Sequence, residues 1–260
     1  MICLIGHGYV GSAIARELER QGLEFTWSRH APLNVVGTVI INAAGFTGTP
    51  NVDECEVRRE DTIRGNVLFP IMLENFGIPI VHITSGCVYT GYKDGGWTEE
   101  DRPNFTLANG SFYSGIKALA QDAIPKDRNY LLRIRLPFGH KDHPKNYLTK
   151  LKKYERLIDV RNSLSCLDDV ARTAVFFALN RPAPGIYNVC NRGDVTTRDV
   201  AVLLGLRKAW FTEEEFKQAV VAPRSNCTLS TAKLEALMPV RPVSEALHEA
   251  VVGMLQEQNS

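Results

Sequence analysis

At 260 residues, 44% of them hydrophobic, the chain is long enough to bury one good-sized core and a smaller appended lobe. A formal charge of +1 creates no long-range field for nucleic acid or a membrane surface, so neither is an expected partner and a small molecule is. The six cysteines, at 3, 55, 87, 166, 190 and 227, include no C-x-x-C pair and point to neither a metal site nor a disulfide framework. With no leader-like or membrane-length apolar run, the expected compartment is the cytoplasm.

Ile2–Ile5 reads as a strand that runs into Gly6-His7-Gly8-Tyr9-Val10-Gly11, and Ser12–Gln21 then has helical periodicity closed by Gly22. In such a strand, turn and helix, the first glycine permits the turn and the second lets the backbone approach a pyrophosphate. The third lets helix and strand pack, with the phosphates on the helix N-terminus. A dinucleotide site is expected there. The second strand, Leu23–Trp27, ends without the acidic residue that usually holds an NAD ribose. Ser28-Arg29-His30 stands instead, and the planar fork of Arg29 suits a 2′-phosphate, so NADP(H) is the expected cofactor. Too few residues separate Arg29 from the next apolar run, Val39–Asn42, to hold a helix and a strand. One edge strand is therefore expected to be missing, the chain returning across the sheet as an extended loop of about 30 Å. Asn42-Ala43-Ala44-Gly45 follows, small residues where a cofactor lies close to the backbone.

Residues 52 to 76 read as helix with a kink near Pro70, and Asn66 within it is placed to bond a neighbouring loop or a water. Ile80–Thr84 is the next strand, and its carboxyl end delivers Ser85-Gly86-Cys87 to the ligand crevice. Tyr89 to Asn109, rich in Gly, Asp, Glu, Asn and Pro, is expected as a long surface loop over the cleft. Tyr113 and Lys117 then share one helix face. A free tyrosine has a pKa of about 10, and a cation beside it favours the phenolate, which is expected to make Tyr113 a usable proton donor. That helix ends near Ile124-Pro125, and Tyr130–Leu136 is expected as the last strand of the first lobe, with Pro137 at its carboxyl end.

The expected fold is α/β: a doubly wound parallel sheet of Rossmann type over residues 1–137, with a small C-terminal substrate lobe over 138–260. In that second lobe Leu167–Asn180 reads as an apolar helix, Ile186–Val189 as a short strand and Thr212–Glu215 as a capping box. Ser230 and Ser244 are the expected N-caps of the last two helices, and Ala222–Asn226 is a Pro-bounded loop. On the residues alone, Cys87 reads as a small buried hydrophobe and Lys150 as one more solvated charge.

Gly6–Gly11, Ser85, Tyr113 and Lys117 together resemble the extended short-chain dehydrogenase/reductase family. The segments NAAGFTGTPNVDECE, SGCVY, EEDRPNF, GSFYSGIKA, LRIRLP, NYLTKLKKYERLIDVRNS and VAPRSN extend the resemblance over nearly the whole chain, to the nucleotide-rhamnose synthase/epimerase-reductase branch. That branch is similar to the C-terminal half of plant rhamnose synthases. The resemblance implies conversion of a UDP- or dTDP-linked 4-keto-6-deoxyglucose to the L-rhamnose nucleotide, by epimerisation at C3 and C5 and NADPH reduction at C4. It implies that Ser85 and Tyr113 hydrogen-bond the C4 oxygen, that Tyr113 delivers its proton, and that Lys117 tunes the phenol and holds the nicotinamide ribose. Cys87 and Lys150 match the branch's epimerase acid-base pair. The implied cofactor contacts are Gly6, Gly8, Tyr9, Val10, Gly11, Ser28, Arg29, Asn42, Ala43, Ala44, Asn66, Tyr113, Lys117 and Pro137. The implied substrate contacts are Thr47, Asn146, Arg224, Ser225 and Asn226, with Arg224 on the diphosphate. No dehydratase half precedes Met1, so a separate 4,6-dehydratase is the expected supplier of substrate, and a homodimer is an open expectation. Two alternatives stay open: a plain C4 reductase, which by resemblance carries an aromatic residue in place of Cys87, and a non-catalytic NADP-binding regulatory subunit.

Overall fold

The computed structural model describes residues 1–29 and 37–258. The first part of the chain forms β1 (Ile2–Ile5), α1 (Tyr9–Arg20), β2 (Phe25–Ser28), β3 (Val39–Asn42), α2 (Asp53–Val57), α3 (Arg59–Ile63) and, after a π-helical turn at Arg64–Leu68, α4 (Phe69–Leu73). β4 (Ile80–Ser85), α5 (Phe112–Ala123) and β5 (Tyr130–Ile134) follow. Then come β6 (Pro137–Phe138), α6 (Tyr147–Lys153), β7 (Arg156–Ile158), β8 (Arg161–Asn162), β9 (Ser165–Cys166), α7 (Leu167–Asn180) and β10 (Gly185–Asn188). β11 (Val195–Thr196), α8 (Thr197–Leu203), β12 (Ala209–Phe211), α9 (Glu213–Ala219), α10 (Ala232–Glu235) and α11 (Val243–Gln258) complete the chain.

Six strands make one parallel sheet in the order β10-β5-β4-β3-β1-β2. Every residue of β1 and β3 is buried, because helices cover both faces of a parallel sheet and no polar alternation is needed. The chain leaves β1 toward β2 on one side, and β3, β4, β5 and β10 build out on the other. The point between β1 and β3 is thus the topological switch, where the carboxyl ends of the strands open a ligand crevice. The doubly wound sheet is as expected, and β2 is its edge: among the described residues no strand lies beyond it. The expected extended return after Arg29 falls mostly on residues 30–36, outside the described residues.

The two lobes exchange segments: α7 and β10, from beyond residue 137, return to the first lobe, so Tyr130–Leu136 is not its last strand. α7 packs its Val170, Ala174 and Phe177 into the same core as Ile14 and Leu18 of α1 and Leu132 of β5. β10, a four-residue run opened by Gly185 at φ +134, is too short to signal that it extends the main sheet. The irregularity expected near Pro70 in the helix at 52–76 is a π turn at Arg64–Leu68 just before it; proline has no N–H for the carbonyl four residues back, and the π turn absorbs the mismatch. Ser230 does not cap α10, since its backbone is paired with the Trp97 carbonyl and with Asn188, and Ser244 lies inside the first turn of α11. The segment 89–109 is irregular but fastened: Tyr89 is buried and stacked on Trp97 at 5.2 Å, and isolated bridges tie Gly91 and Trp97 to Cys227 and Leu229. The capping box Thr212/Glu215 forms as read.

The smaller lobe has its own core, in which Phe138, Leu148, Leu151, Val200, Leu247 and Met254 meet. Among the described residues no helix is long and apolar enough to cross a membrane.

Candidate active site

Three strand ends and one helix build the site. The glycine turn after β1 leads into α1, whose N-cap is Gly8. A Cβ on Gly6 would stand 2.7 Å from the Ala44 nitrogen, and one on Gly11 would collide with the Gly6 carbonyl, whereas one on Gly8 would meet nothing within 4 Å. Gly6 and Gly11 are therefore required by backbone packing. Gly8 leaves the N-terminus of a twelve-residue helix open, the arrangement that accepts a pyrophosphate. Nearby, Asn42 uses Oδ1 to accept from the Ala44 N–H at 3.1 Å, which fixes the small-residue loop after β3. Asn66 donates from Nδ2 to the Phe46 carbonyl at 2.7 Å and the Thr62 carbonyl at 2.9 Å, while its buried Oδ1 has no partner. A side chain on Gly45 would meet that Oδ1 and the Lys117 ammonium. Buried, unused polar atoms facing a cradle of small residues fit a dinucleotide. Ala43 and Val10 are half-buried beside it, as are Ser28 and Pro137. Arg29 is exposed and makes no side-chain hydrogen bond or ion pair to another described residue.

Tyr9 lies with its ring stacked on His143 at 4.5 Å and its hydroxyl buried without a partner. Trp27, at the end of β2, donates its indole N–H to the Gly6 carbonyl at 2.9 Å and packs on His7 at 4.3 Å. Neither His143 nor Trp27 was marked by any motif.

α5 is set in place from both ends. Ser111 caps it by accepting the Ser114 N–H at 3.1 Å, and the Phe112 N–H donates to Glu56 of α2 at 2.7 Å. Two turns on, Gln121 donates to the Ser85 carbonyl at 2.9 Å and to Thr84 Oγ1 at 3.1 Å, and accepts from buried Arg133 at 2.7 Å. Tyr113, Lys117 and Gln121 thus form one i, i+4, i+8 face turned to the end of β4. Ser85 lies close enough to Tyr113 to act on its phenol, and the Lys117 ammonium stands 5.8 Å from the Tyr113 ring centroid.

The expected lowering of the phenol pKa is corrected. Burial pushes Tyr113 well above the ordinary tyrosine range, with the Cys87 and Cys55 sulfurs adding to it, against the opposing Ser85 hydrogen bond. Burial likewise pulls Lys117 down to about 8. Desolvation of both groups outweighs their mutual influence, so Tyr113 stays loaded with its proton at neutral pH.

Cys87 donates its backbone N–H to Ser85 Oγ at 3.0 Å, and its Sγ accepts from Arg135 Nη1 at 2.9 Å. It is the one cysteine of the six that is not buried, so the reading as a core hydrophobe does not hold. Lys150, on α6, is half-buried. Burial first, then the nearby Lys145 and Arg224 charges, pull it down to about 8, with Cys87 acting in the opposite sense. Ser85, Cys87, Tyr113 and Lys117 thus gather at the end of β4, and Lys150 lies within electrostatic reach of Cys87.

Among the expected substrate contacts, Thr47 is exposed at the cleft loop, but Asn146 is corrected. Fully buried, it caps α6 by accepting the Leu148 N–H at 3.0 Å and donates to the Gly139 and Lys141 carbonyls. Arg224 does not present a free fork either: Nη1 and Nη2 each donate to Asp53 at 2.8 Å. Ser225 donates to the Tyr89 carbonyl at 2.5 Å, and Asn226 accepts from Asn162 at 3.4 Å. Their short polar side chains serve chain-to-chain bonds, which no motif distinguishes from ligand bonds.

No family model matches the chain. It is 33% identical, over 89% of its length and 85% of the other protein's, to the Arabidopsis thaliana bifunctional dTDP-4-dehydrorhamnose 3,5-epimerase/dTDP-4-dehydrorhamnose reductase. The chain belongs to the dTDP/UDP-rhamnose epimerase-reductase family. An Arabidopsis trifunctional UDP-glucose 4,6-dehydratase/UDP-4-keto-6-deoxy-D-glucose 3,5-epimerase/UDP-4-keto-L-rhamnose-reductase is 31% identical over 95% of this chain, which spans 40% of that longer protein. Among solved structures, the L780 UDP-rhamnose synthase of Acanthamoeba polyphaga mimivirus superposes with a TM-score of 0.89 at 25% identity, covering 98% of this chain and 99% of that one. In fold alone, the chain also resembles a Bacillus anthracis dTDP-4-dehydrorhamnose reductase in complex with NADP, with a TM-score of 0.78 at 16% identity and 98% of each chain covered. Arg135, which donates to Cys87, Gln121, which holds the end of β4, and Lys145, whose charge acts on Lys150, are residues around this site that motif reading passed over. The alternation of Arg133 and Arg135 in a strand of a parallel sheet was the available signal, since cations are rare in such cores.

Proposed function

We propose that the protein is an NADPH-dependent 3,5-epimerase/4-reductase that converts a UDP- or dTDP-linked 4-keto-6-deoxyglucose to the L-rhamnose nucleotide. The observation that carries this reading is that Cys87 stands directly beside Ser85 with its sulfur held by Arg135, while the half-buried Lys150 lies within electrostatic reach of that sulfur. A plain reductase or a binding module needs no accessible thiol and no depressed amine at that place.

C3 and C5 both flank the C4 ketone. Removal of either proton sends the C–H electron pair toward C4 and leaves negative charge on its oxygen. Ser85 and Tyr113 hydrogen-bond that oxygen, so one oxyanion site serves both epimerisations and the reduction. Lys150, pulled down to about 8, has neutral amine available near neutral pH to accept a carbon-bound proton. Cys87 returns a proton to the opposite face. When bound along the glycine turn, NADPH supplies the hydride for C4. Tyr113, held protonated by burial, gives its proton to the C4 oxygen.

The test uses D₂O with NADP⁺ in place of NADPH, so that reduction is blocked. Wild type incorporates deuterium at C3 and C5 of the 4-keto substrate, followed by NMR. Cys87→Ala and Lys150→Ala each slow exchange by about a hundredfold or more, while NADPH reduction of a pre-epimerised substrate persists. No exchange by the wild type would leave a plain reductase.

A further inference from the structure

Arg135 is among the largest fully buried side chains, at 1% exposed, and among the described residues no carboxylate pairs with it. Its Nη1 donates to Cys87 Sγ at 2.9 Å, and its Nη2 to Asn162 Oδ1 and the Ser225 carbonyl, each at 2.5 Å; its Nε has no partner. The bound oxygens are neutral, so the only neighbour in direct hydrogen-bond contact able to take up negative charge is the Cys87 sulfur. An uncompensated buried cation is unfavourable by several kcal/mol. Its neighbour Arg133, equally buried, is given Gln121 and Tyr89 as partners, and burial pulls it down. At Arg135 burial, the largest influence, also works against the charge, whereas the neighbouring sulfurs favour it once ionised, and the guanidinium is held above its ordinary range. The backbone there is held against its own preference. Leu136, the next residue, has φ +38, a conformation that a non-glycine residue adopts only where its surroundings hold it there, while the Arg135 N–H donates to Ser165 Oγ at 2.8 Å.

We propose that Arg135 is a positioning residue for the exchange chemistry: its buried guanidinium aims the Cys87 sulfur and is the counter-charge for the thiolate formed there. This rests on the Cys87 role proposed above. When the enolate's electron pair forms the new C–H bond, the S–H bond breaks and its pair stays on sulfur, beside Arg135. The Lys150 ammonium meanwhile holds the proton taken from the sugar, and both groups reset by proton exchange with water. Nothing is oxidised or reduced in these steps. A thiolate formed at 2.9 Å from a fixed guanidinium gains a charge-assisted hydrogen bond, roughly twice as strong as a neutral one.

The experiment uses the full chain without substrate. Alkylation of Cys87 by iodoacetamide, in which the thiolate attacks the reagent's carbon and displaces iodide, is timed at pH 7 by peptide mass spectrometry. Arg135→Met slows it by about tenfold or more, and Arg135→Lys retains part of the rate. Asn162→Asp places a carboxylate on the guanidinium while leaving Arg135 in the protein, and slows alkylation several-fold even if Arg135→Met fails to fold. Wild-type alkylation rates in Asn162→Asp and in a folded Arg135→Met would overturn the proposal, whatever the D₂O exchange shows. Arg135-dependent alkylation with no wild-type exchange would instead sink the epimerase reading, and with it the catalytic use of this contact.

Discussion

Ser85, Tyr113 and Lys117 stand on regular elements of one lobe, whereas Cys87 stands on the loop after β4 and Lys150 on a seven-residue helix of the other lobe. The first group is fixed by local chemistry: an N-cap, a carboxylate from α2, and Gln121 bridging α5 to β4. The second group takes its character from what surrounds it. Cys87 is gripped by Arg135, and Lys150 is depressed by burial and by cations on two other segments. A reductive site can thus be carried by one supersecondary unit, while the exchange pair depends on how the lobes meet.

Tyr113→Phe is the largest expected effect, and it acts on the first group alone. Loss of the proton donor lowers NADPH reduction by about 10²–10⁴. Deuterium exchange falls far less, because Ser85 still hydrogen-bonds the enolate oxygen. Equal losses in both assays would show that the two groups share one donor and would break the comparison.

The pH dependence of exchange probes the second group. Lys150 acts as a base only when unprotonated, and its environment pulls it down to about 8. Exchange therefore rises as pH increases toward about 8 and levels off above it. Lys145→Met removes one of the depressing charges, so it shifts the rise to higher pH. Lys117 is also pulled down to about 8, but by burial, with no influence from Lys145 among its causes. A rise unmoved by Lys145→Met would assign the titration to another group.

The same contrast sets what could be read from residues. Gly6–Gly11 and the Tyr113/Lys117 spacing were legible because a turn and a helix face impose fixed intervals on the chain. The shortness of the link after Arg29 led to the expectation of a missing edge strand, and among the described residues β2 is the edge. β10 was read as a strand but not as part of the main sheet, since four residues carry no information about which strand they pair with. Asn146 entered as a substrate contact by resemblance alone, and the amide is in fact the N-cap of α6, a demand the residues by themselves do not separate from that of a sugar. Arg135 was visible only as a cation in a strand. Its significance lies in Cys87, Asn162 and Ser225, which are brought to it from three separate parts of the chain.

Arg224 and Asp53 link the lobes, and their effect is the smallest expected. Asp53 accepts both guanidinium donors and the Ala222 N–H at 2.8 Å. The pair is partly solvated, with side chains 22% and 29% exposed, a setting in which ion pairs contribute about 0.2–1 kcal/mol. Its main consequence is then shape, since the clamped segment carries the Ser225 carbonyl that accepts from Arg135. Arg224→Ala and Asp53→Asn each raise KM for the sugar nucleotide by up to about fivefold and leave kcat unchanged. Because the two residues act through one contact, the double variant is no worse than the more affected single one. If Arg224→Ala raises KM by about tenfold more than Asp53→Asn, the guanidinium leaves Asp53 for the diphosphate on binding. The lobes would then be joined by the substrate, and the exchange pair would be assembled only in its presence.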